Sequence, residues 1–201
     1  LLFLMCGFEL LRKTSFLCWC LGILTVFLYN GIYTYFWKPR WSFAAIPGAI
    51  PGALPVVIGY AANDSNLFAR DSVYLFFVLF LWQMPHFWVL AMKFRDDYER
   101  AGIPTLPVSL GAHKTLFHIG LWTYLYLILV LASPWFVHAS WIYILMVFPI
   151  ATVVLVEFHR YYKSVGAQRW FAYFMWLNSS VLIFIFVPIV DKWNFLFTNS
   201  N

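Results

Sequence analysis

The chain has 201 residues, of which 63% are hydrophobic, 22% aromatic and only 10% charged. A soluble domain carries about 45–50% apolar and about 25% charged residues, so this composition excludes one and specifies an all-α, polytopic transmembrane helix bundle. The net charge of +5 comes from dispersed Lys and Arg; without a basic cluster it excludes a nucleic-acid binder and suits anionic lipid and an anionic substrate.

Taken in order, Leu1–Phe8 reads as the tail of a membrane helix. The chain starts with Leu inside an apolar run, and an N-terminal part is expected upstream. Glu9, Arg12 and Lys13 read as a short charged turn, with Glu9 and Lys13 at i,i+4 spacing. Thr14–Trp37 is uncharged over 24 residues, enough to span a bilayer. Lys38-Pro39-Arg40 is a basic loop. Trp41–Asn63 is uncharged but carries Pro47, Pro51 and Pro55 with Gly48, Gly52 and Gly59. A helix so often deprived of backbone hydrogen bonds persists in lipid only when neighbours pack it or it lines a cavity, which places it in the bundle interior. Asn63–Asp71 is a polar turn, Ser72–Met92 the next span, and Lys93–Lys114 a long loop. Thr115–Phe158 is too long for one span and breaks near Ser133-Pro134. A loop with His159, Arg160, Lys163 and Arg169 precedes the last span, Trp170–Val190, and Asp191–Asn201 reads as a polar tail. The expectation is one domain over residues 1–201, with six complete spans and part of one more. Cys6, Cys18 and Cys20 lie in apolar runs without metal-ligand spacing with His, and Cys18 and Cys20 read as lipid-facing or core-packing residues. His113, His118, His138 and His159 are placed at loop or span ends, at the interface.

Orientation follows from charge. The loops at 38–40, 93–114 and 158–169 hold nine Lys and Arg; the opposite side holds Arg12, Lys13, Arg70 and Lys192, four. By the positive-inside rule the nine-residue side faces the cytoplasm, or the matrix in a mitochondrion.

The stretch that stands out is Leu81–Pro107. An uncharged run bearing Gln83 and His86 passes directly into Lys93–Arg100, where six of eight residues are charged, and closes on Ala101-Gly102-Ile103-Pro104, a helix stop. On a continuous helix, His86, Lys93 and Asp97 share a face, with roughly 16 Å of rise from His86 to Asp97. A carboxylate pair with flanking cations at the water boundary suits a metal ion and the anionic head of a greasy substrate. The plainer alternative is a set of solvated topology anchors. His86, an ionisable residue inside a span, is a functional candidate, or else a core histidine satisfied by Gln83 or by a carbonyl freed by Pro85.

The segment WQMPHFWVLAMKFRDDYERAGIPTLPV, Trp82–Val108, resembles the second signature region of the protoheme IX farnesyltransferases (haem O synthases), a branch of the UbiA-type intramembrane prenyltransferases. Tyr29–Arg40 and Pro51–Ala62 are similar to two further segments of that family, in the expected order. Where the family usually has Leu-Lys-Arg, this chain has Trp37-Lys38-Pro39-Arg40, and Gly-Ala-x-Pro-Pro reads Gly52-Ala53-Leu54-Pro55-Val56. The family's first acidic motif, Asn-x-x-x-Asp-x-x-x-Asp, is not in this chain and is expected upstream of Leu1.

The resemblance implies transfer of a farnesyl group from farnesyl diphosphate to a vinyl group of haem b. Departure of diphosphate is assisted by Mg²⁺, which takes one or two carboxylates plus substrate phosphates. It assigns Asp96 and Asp97 to the metal and to catalysis, and His86 to haem positioning or proton transfer. Lys38, Arg40, Lys93, Arg95 and Arg100 are the candidate diphosphate clamp, with Tyr33 and Tyr98 as hydrogen-bond donors or, alternatively, interfacial anchors. It also implies a bacterial cytoplasmic membrane, or else the mitochondrial inner membrane, and downstream a haem A synthase or terminal oxidase assembly as partner. Two other classes compete: a transporter using the Pro-broken helix as its midplane site, for which Trp41–Ala62 offers only Ser42 and Tyr60, and a non-catalytic haem-handling scaffold.

Overall fold

A computed structural model describes residues 2–137, 140–166 and 168–198, with side chains up to Asp191 in the last helix. The described residues form helices without strands: α1 (Leu2–Thr14), α2 (Phe16–Trp37), α3 (Ala45–Ala61), α4 (Arg70–Lys93), α5 (Arg95–Arg100), α6 (Leu106–Leu131), α7 (Trp141–Lys163) and α8 (Trp170–Thr198). Five of them, α2, α4, α6, α7 and α8 up to Asp191, are long and apolar enough to cross a membrane. The expected sixth span, α3, has 17 residues. That is about 25 Å of helix, at the lower limit for crossing the hydrocarbon.

Helix α4 is the centre of the bundle, packing against α3, α6 and α8. Its inward face supplies Val78, Met84, Trp88 and Val89 to the main core, with Leu116 and Ile119 from α6 and Leu177 and Phe184 from α8. Elsewhere large apolar side chains face outward, as lipid requires: Phe117, Leu145, Phe148, Leu182 and Phe186 are all exposed.

Several sequence boundaries move. The charged turn at 9–13 is helical, ends α1, and is followed by Ser15, whose hydroxyl accepts from the Cys18 N–H to start α2. Glu9 pairs with Arg12, not Lys13 (2.8 Å), and that hydrogen bond holds its carboxyl below its usual range. The loop expected over 93–114 is mostly helical: α5 occupies its start and α6 begins at Leu106, with a kink at Gly111 (φ 78°). The earlier start puts His118 mid-helix, not at a span end, half-buried with its ring against Phe43 (5.1 Å) and Trp88 (6.0 Å). His113 and His159 are exposed, whereas His138 falls outside the described residues. The break at Ser133-Pro134 is present as a single 3₁₀ turn. The tail expected from Asp191 continues as helix to Thr198, because Asp191 is buried (2% exposed) and accepts hydrogen bonds from the backbone N–H and hydroxyl of Ser140. Cys18 is core, and its thiol donates to the Ile58 carbonyl (3.4 Å).

Candidate active site

The second half of α2, Phe27–Trp37, is wound as a π-helix, closing with the Lys38 N–H on the Tyr33 carbonyl (2.9 Å). The extra residue per turn shifts the helical phase, and Tyr33 turns inward (7% exposed). Facing it, α3 presents glycine. A Cβ at Gly48 would stand 2.6 Å from the Tyr33 ring, and one at Gly52 would overlap the Gln83 amide of α4. The Pro/Gly spacing at 47–55 therefore lets α2 and α4 approach α3 closely. α3 runs unbroken through Pro51 and Pro55, and a polar group beside it is supplied from α4: Gln83 Nε2 donates to the carbonyls of Ala49 (3.3 Å) and Leu79 (3.1 Å).

Between these helices lies a chamber of about 210 Å³ whose walls include Tyr29, Tyr33, Gly48, Gly52, Gln83 and His86. Tyr33, Ala45 and Phe87 also line a second, narrow cleft, which reaches Lys38, Tyr98, Ile103 and Thr105 at the end of the bundle. Two polar atoms of residues lining that cleft, Trp88 Nε1 and Thr105 Oγ1, are buried without a hydrogen-bond partner. Thus Tyr33, Lys38 and Tyr98 come together at the mouth, and Tyr33 and His86 come together deeper in.

The structure does not bring the charged cluster into either space. Phe94 (φ −106°, ψ 30°) breaks the helix between Lys93 and Arg95. The continuous face from His86 through Lys93 to Asp97 is therefore corrected: Asp97 sits on α5, whose phase is independent of α4. Asp96 and Asp97 are exposed, and Asp97 pairs with Arg100 across one turn of α5. Arg95 is exposed. The Lys93 ammonium lies over the Trp170 ring at the start of α8 (5.2 Å). Arg40 donates to the Tyr35 (2.8 Å) and Phe36 (3.4 Å) carbonyls, closing the end of α2.

Among the described residues no three of His, Cys, Asp and Glu group closely enough to hold a metal by themselves. The adjacent, exposed Asp96 and Asp97 fit a cation of the Mg²⁺ type, which takes one or two carboxylates and completes its shell with phosphate and water.

His86 is satisfied neither by Gln83 nor by a carbonyl that Pro85 frees. Its Nδ1 meets Asn178 Oδ1 of α8 (2.8 Å). The sequence reading missed Asn178, although an amide inside the apolar run Trp170–Val190 is itself a signal. Trp82 also joins the site, with Nε1 donating to the Leu177 carbonyl (3.2 Å) and its ring against that of His86 (4.7 Å).

Five helices long enough to span, with α3 packed between α2 and α4 and a chamber that shares Tyr33 with a cleft reaching Lys38, define a helical membrane protein with a cavity among its helices. Residues 1–179 match the UbiA prenyltransferase family, and the chain belongs to it. The chain is 57% identical over 198 residues to a protoheme IX farnesyltransferase of Bdellovibrio bacteriovorus, covering 98% of this chain and 68% of that protein. It is 43% identical over 93 residues to one from Geotalea uraniireducens, covering 46% of this chain and 36% of that protein. A Bradyrhizobium protein of the same name is 41% identical over 133 residues, covering 64% of this chain and 41% of the relative. No solved structure matches.

Proposed function

We propose that the chain transfers a farnesyl group from farnesyl diphosphate to a vinyl carbon of haem b, with water adding to give the hydroxyethylfarnesyl side chain of haem O. The observation that carries this reading is the 57% identity, over nearly the whole chain, to a protein named for that transfer. The geometry is compatible with it. The cleft lined by Lys38 and Tyr98 is the place for the diphosphate, since an ammonium and a phenol stabilise the charge that gathers on its oxygens as the allylic C–O bond breaks. The chamber beyond Tyr33 takes the apolar reactants, and the rings of Tyr29, Tyr33, Trp82 and Phe87 in its walls would stabilise the allylic cation. His86 lines that chamber and is assigned to the haem.

Asp96 and Asp97 would hold Mg²⁺, which when bound neutralises part of the diphosphate charge. Arg95 and Arg100 lie beside those carboxylates on α5 and attract the anionic head from solution. Lys93 extends the same cationic surface toward α8. We assign the site to the cytoplasmic face of a bacterial inner membrane, where soluble diphosphates and Mg²⁺ are present, with a haem A synthase or oxidase assembly receiving the product. The test is farnesyl transfer to haem b by the full-length gene product in bilayers, followed by chromatography of the extracted haem. Appearance of a farnesylated haem that requires both substrates is expected. Binding of haem without any product would overturn the reading in favour of a haem-handling scaffold.

A further inference from the structure

The seat of His86 fixes more than the position of its ring. The imidazole is held between two aromatic faces, Trp82 on its own helix (4.7 Å between centroids) and Phe174 on α8 (5.0 Å). Trp82 is itself tied to α8 through the Leu177 carbonyl. In the ring plane, His86 Nδ1 faces Asn178 Oδ1 (2.8 Å), while Asn178 Nδ2 donates to the Phe174 carbonyl (2.6 Å).

That second bond decides the first. A backbone carbonyl can only accept, so the NH₂ end of the Asn178 amide must face Phe174. The end turned toward His86 is then the carbonyl oxygen, which also can only accept. Nδ1 must therefore be the donor. A neutral imidazole has one N–H, which leaves Nε2 with its lone pair. No residue among those described hydrogen-bonds to Nε2, and His86 lines the 210 Å³ chamber. Turning the amide over would set a carbonyl against a carbonyl and lose the bond to Phe174, so the chain Phe174–Asn178–His86 admits one direction of hydrogen bonding.

We propose that Asn178 is a positioning residue. It holds His86 in the Nδ1-protonated tautomer and so offers the Nε2 lone pair to the contents of the chamber, as a ligand to a Lewis-acidic iron or as a proton acceptor. The tautomer follows from the hydrogen bonds alone. Its consequence for turnover rests on the assignment of the chamber to haem.

The experiment is ¹⁵N solid-state NMR of the histidine-labelled full-length protein in bilayers, with the His86 signals identified by their loss in His86→Gln. The expected result is a protonated Nδ1 and a bare Nε2. Asn178→Leu removes the acceptor and should give a mixture of tautomers. The Asn178→Leu variant should also lose about 10–100-fold in kcat for farnesyl transfer, the usual effect of removing the partner that orients a functional histidine. A Soret shift of bound haem on Asn178→Leu identifies Nε2 as an iron ligand; a rate loss without a shift identifies it as a proton acceptor. A bare Nδ1, or two protonated nitrogens, in the unsubstituted protein overturns the tautomer. A changed tautomer with haem affinity and rate both unaltered overturns the haem assignment of the chamber and Asn178's part in turnover.

Discussion

Replacing Asp97 by Asn separates a solvated anchor from a working carboxylate, because the structure makes the folding cost small. The Asp97 side chain is 62% exposed and its partner Arg100 is 76% exposed. An ion pair this open contributes about 0–1 kcal/mol, and Asn keeps an acceptor for the guanidinium. The helix carrying them is six residues long, with no buried residue to unseat. Thermal stability should therefore stay within about 1 kcal/mol of the parent. If the carboxylate helps to stabilise charge on the departing diphosphate, its loss should raise the barrier by about 2.7–4 kcal/mol, or about 10²–10³ in rate, by analogy with a lost oxyanion donor. The assay is farnesyl transfer to haem b by Asp97→Asn and Asp96→Asn across a Mg²⁺ titration, beside a melting curve for each. The expected outcome is that at least one variant keeps its melting temperature, loses most of its rate and needs more Mg²⁺. Near-normal rates for both at limiting Mg²⁺ would reduce the pair to topology anchors.

Gly52→Ala should lower substrate affinity while changing stability little: its methyl overlaps the Gln83 amide at the chamber wall, but a helical alanine recovers up to about 1 kcal/mol. Gly59→Ala, with open space around its Cβ, is the control and should bind substrate normally. In His86→Ala, haem binding or turnover should fall much further than farnesyl diphosphate binding, read by haem titration and a diphosphate competition assay. Asp191→Ala strips the acceptor from Ser140 at the start of α7 and should cost about 1–3 kcal/mol in a melting experiment, with no change in substrate affinity. Cys placed at Ser109 in a Cys-free background should react with an impermeant thiol reagent only from the cytoplasmic side, and Cys at Ser65 only from the other; both positions are exposed.

The sequence carried the helical bundle in its uncharged runs, and it placed the break at Ser133-Pro134 and a cavity beside the Pro/Gly-rich helix, although α3 runs unbroken through Pro51 and Pro55. These features depend on hydrophobicity and on proline's missing N–H, which act locally. It misplaced the charged ends. Phe94 separates α4 from α5 although nothing in Lys93–Arg100 is a glycine or proline, so helical phase was carried past a break that composition does not mark. Asp191 read as tail because its polarity was visible and its partner, Ser140, fifty-one residues away, was not. Asn178 was overlooked for the same reason: its use depends on the α4–α8 contact, which a single sequence does not encode in any local pattern.

The two spaces that share Tyr33 impose an order on the chemistry proposed for them. A diphosphate held near Lys38 and Tyr98 has its carbon chain on the inner side of Tyr33, because the cleft is narrow and the larger volume lies beyond it. The bond that breaks then lies near the Tyr33 ring, between the cationic mouth and the aromatic interior. The leaving group then stays beside Lys38 and Tyr98, and the carbon fragment beside the rings of Tyr29, Trp82 and Phe87. His86 lines the chamber with its ring held by Trp82, Phe174 and Asn178, so on the proposed assignment the acceptor substrate would meet a ring that is already oriented. The π-helical turn that aims Tyr33 inward and the glycines that make room for it are thus what the division into two spaces depends on. A methyl group at Gly48 would press on the Tyr33 ring and move the boundary itself, so Gly48→Ala should impair donor and acceptor binding together, whereas Gly52→Ala acts on the inner chamber. Equal effects of the two on diphosphate affinity would argue against a boundary at Tyr33.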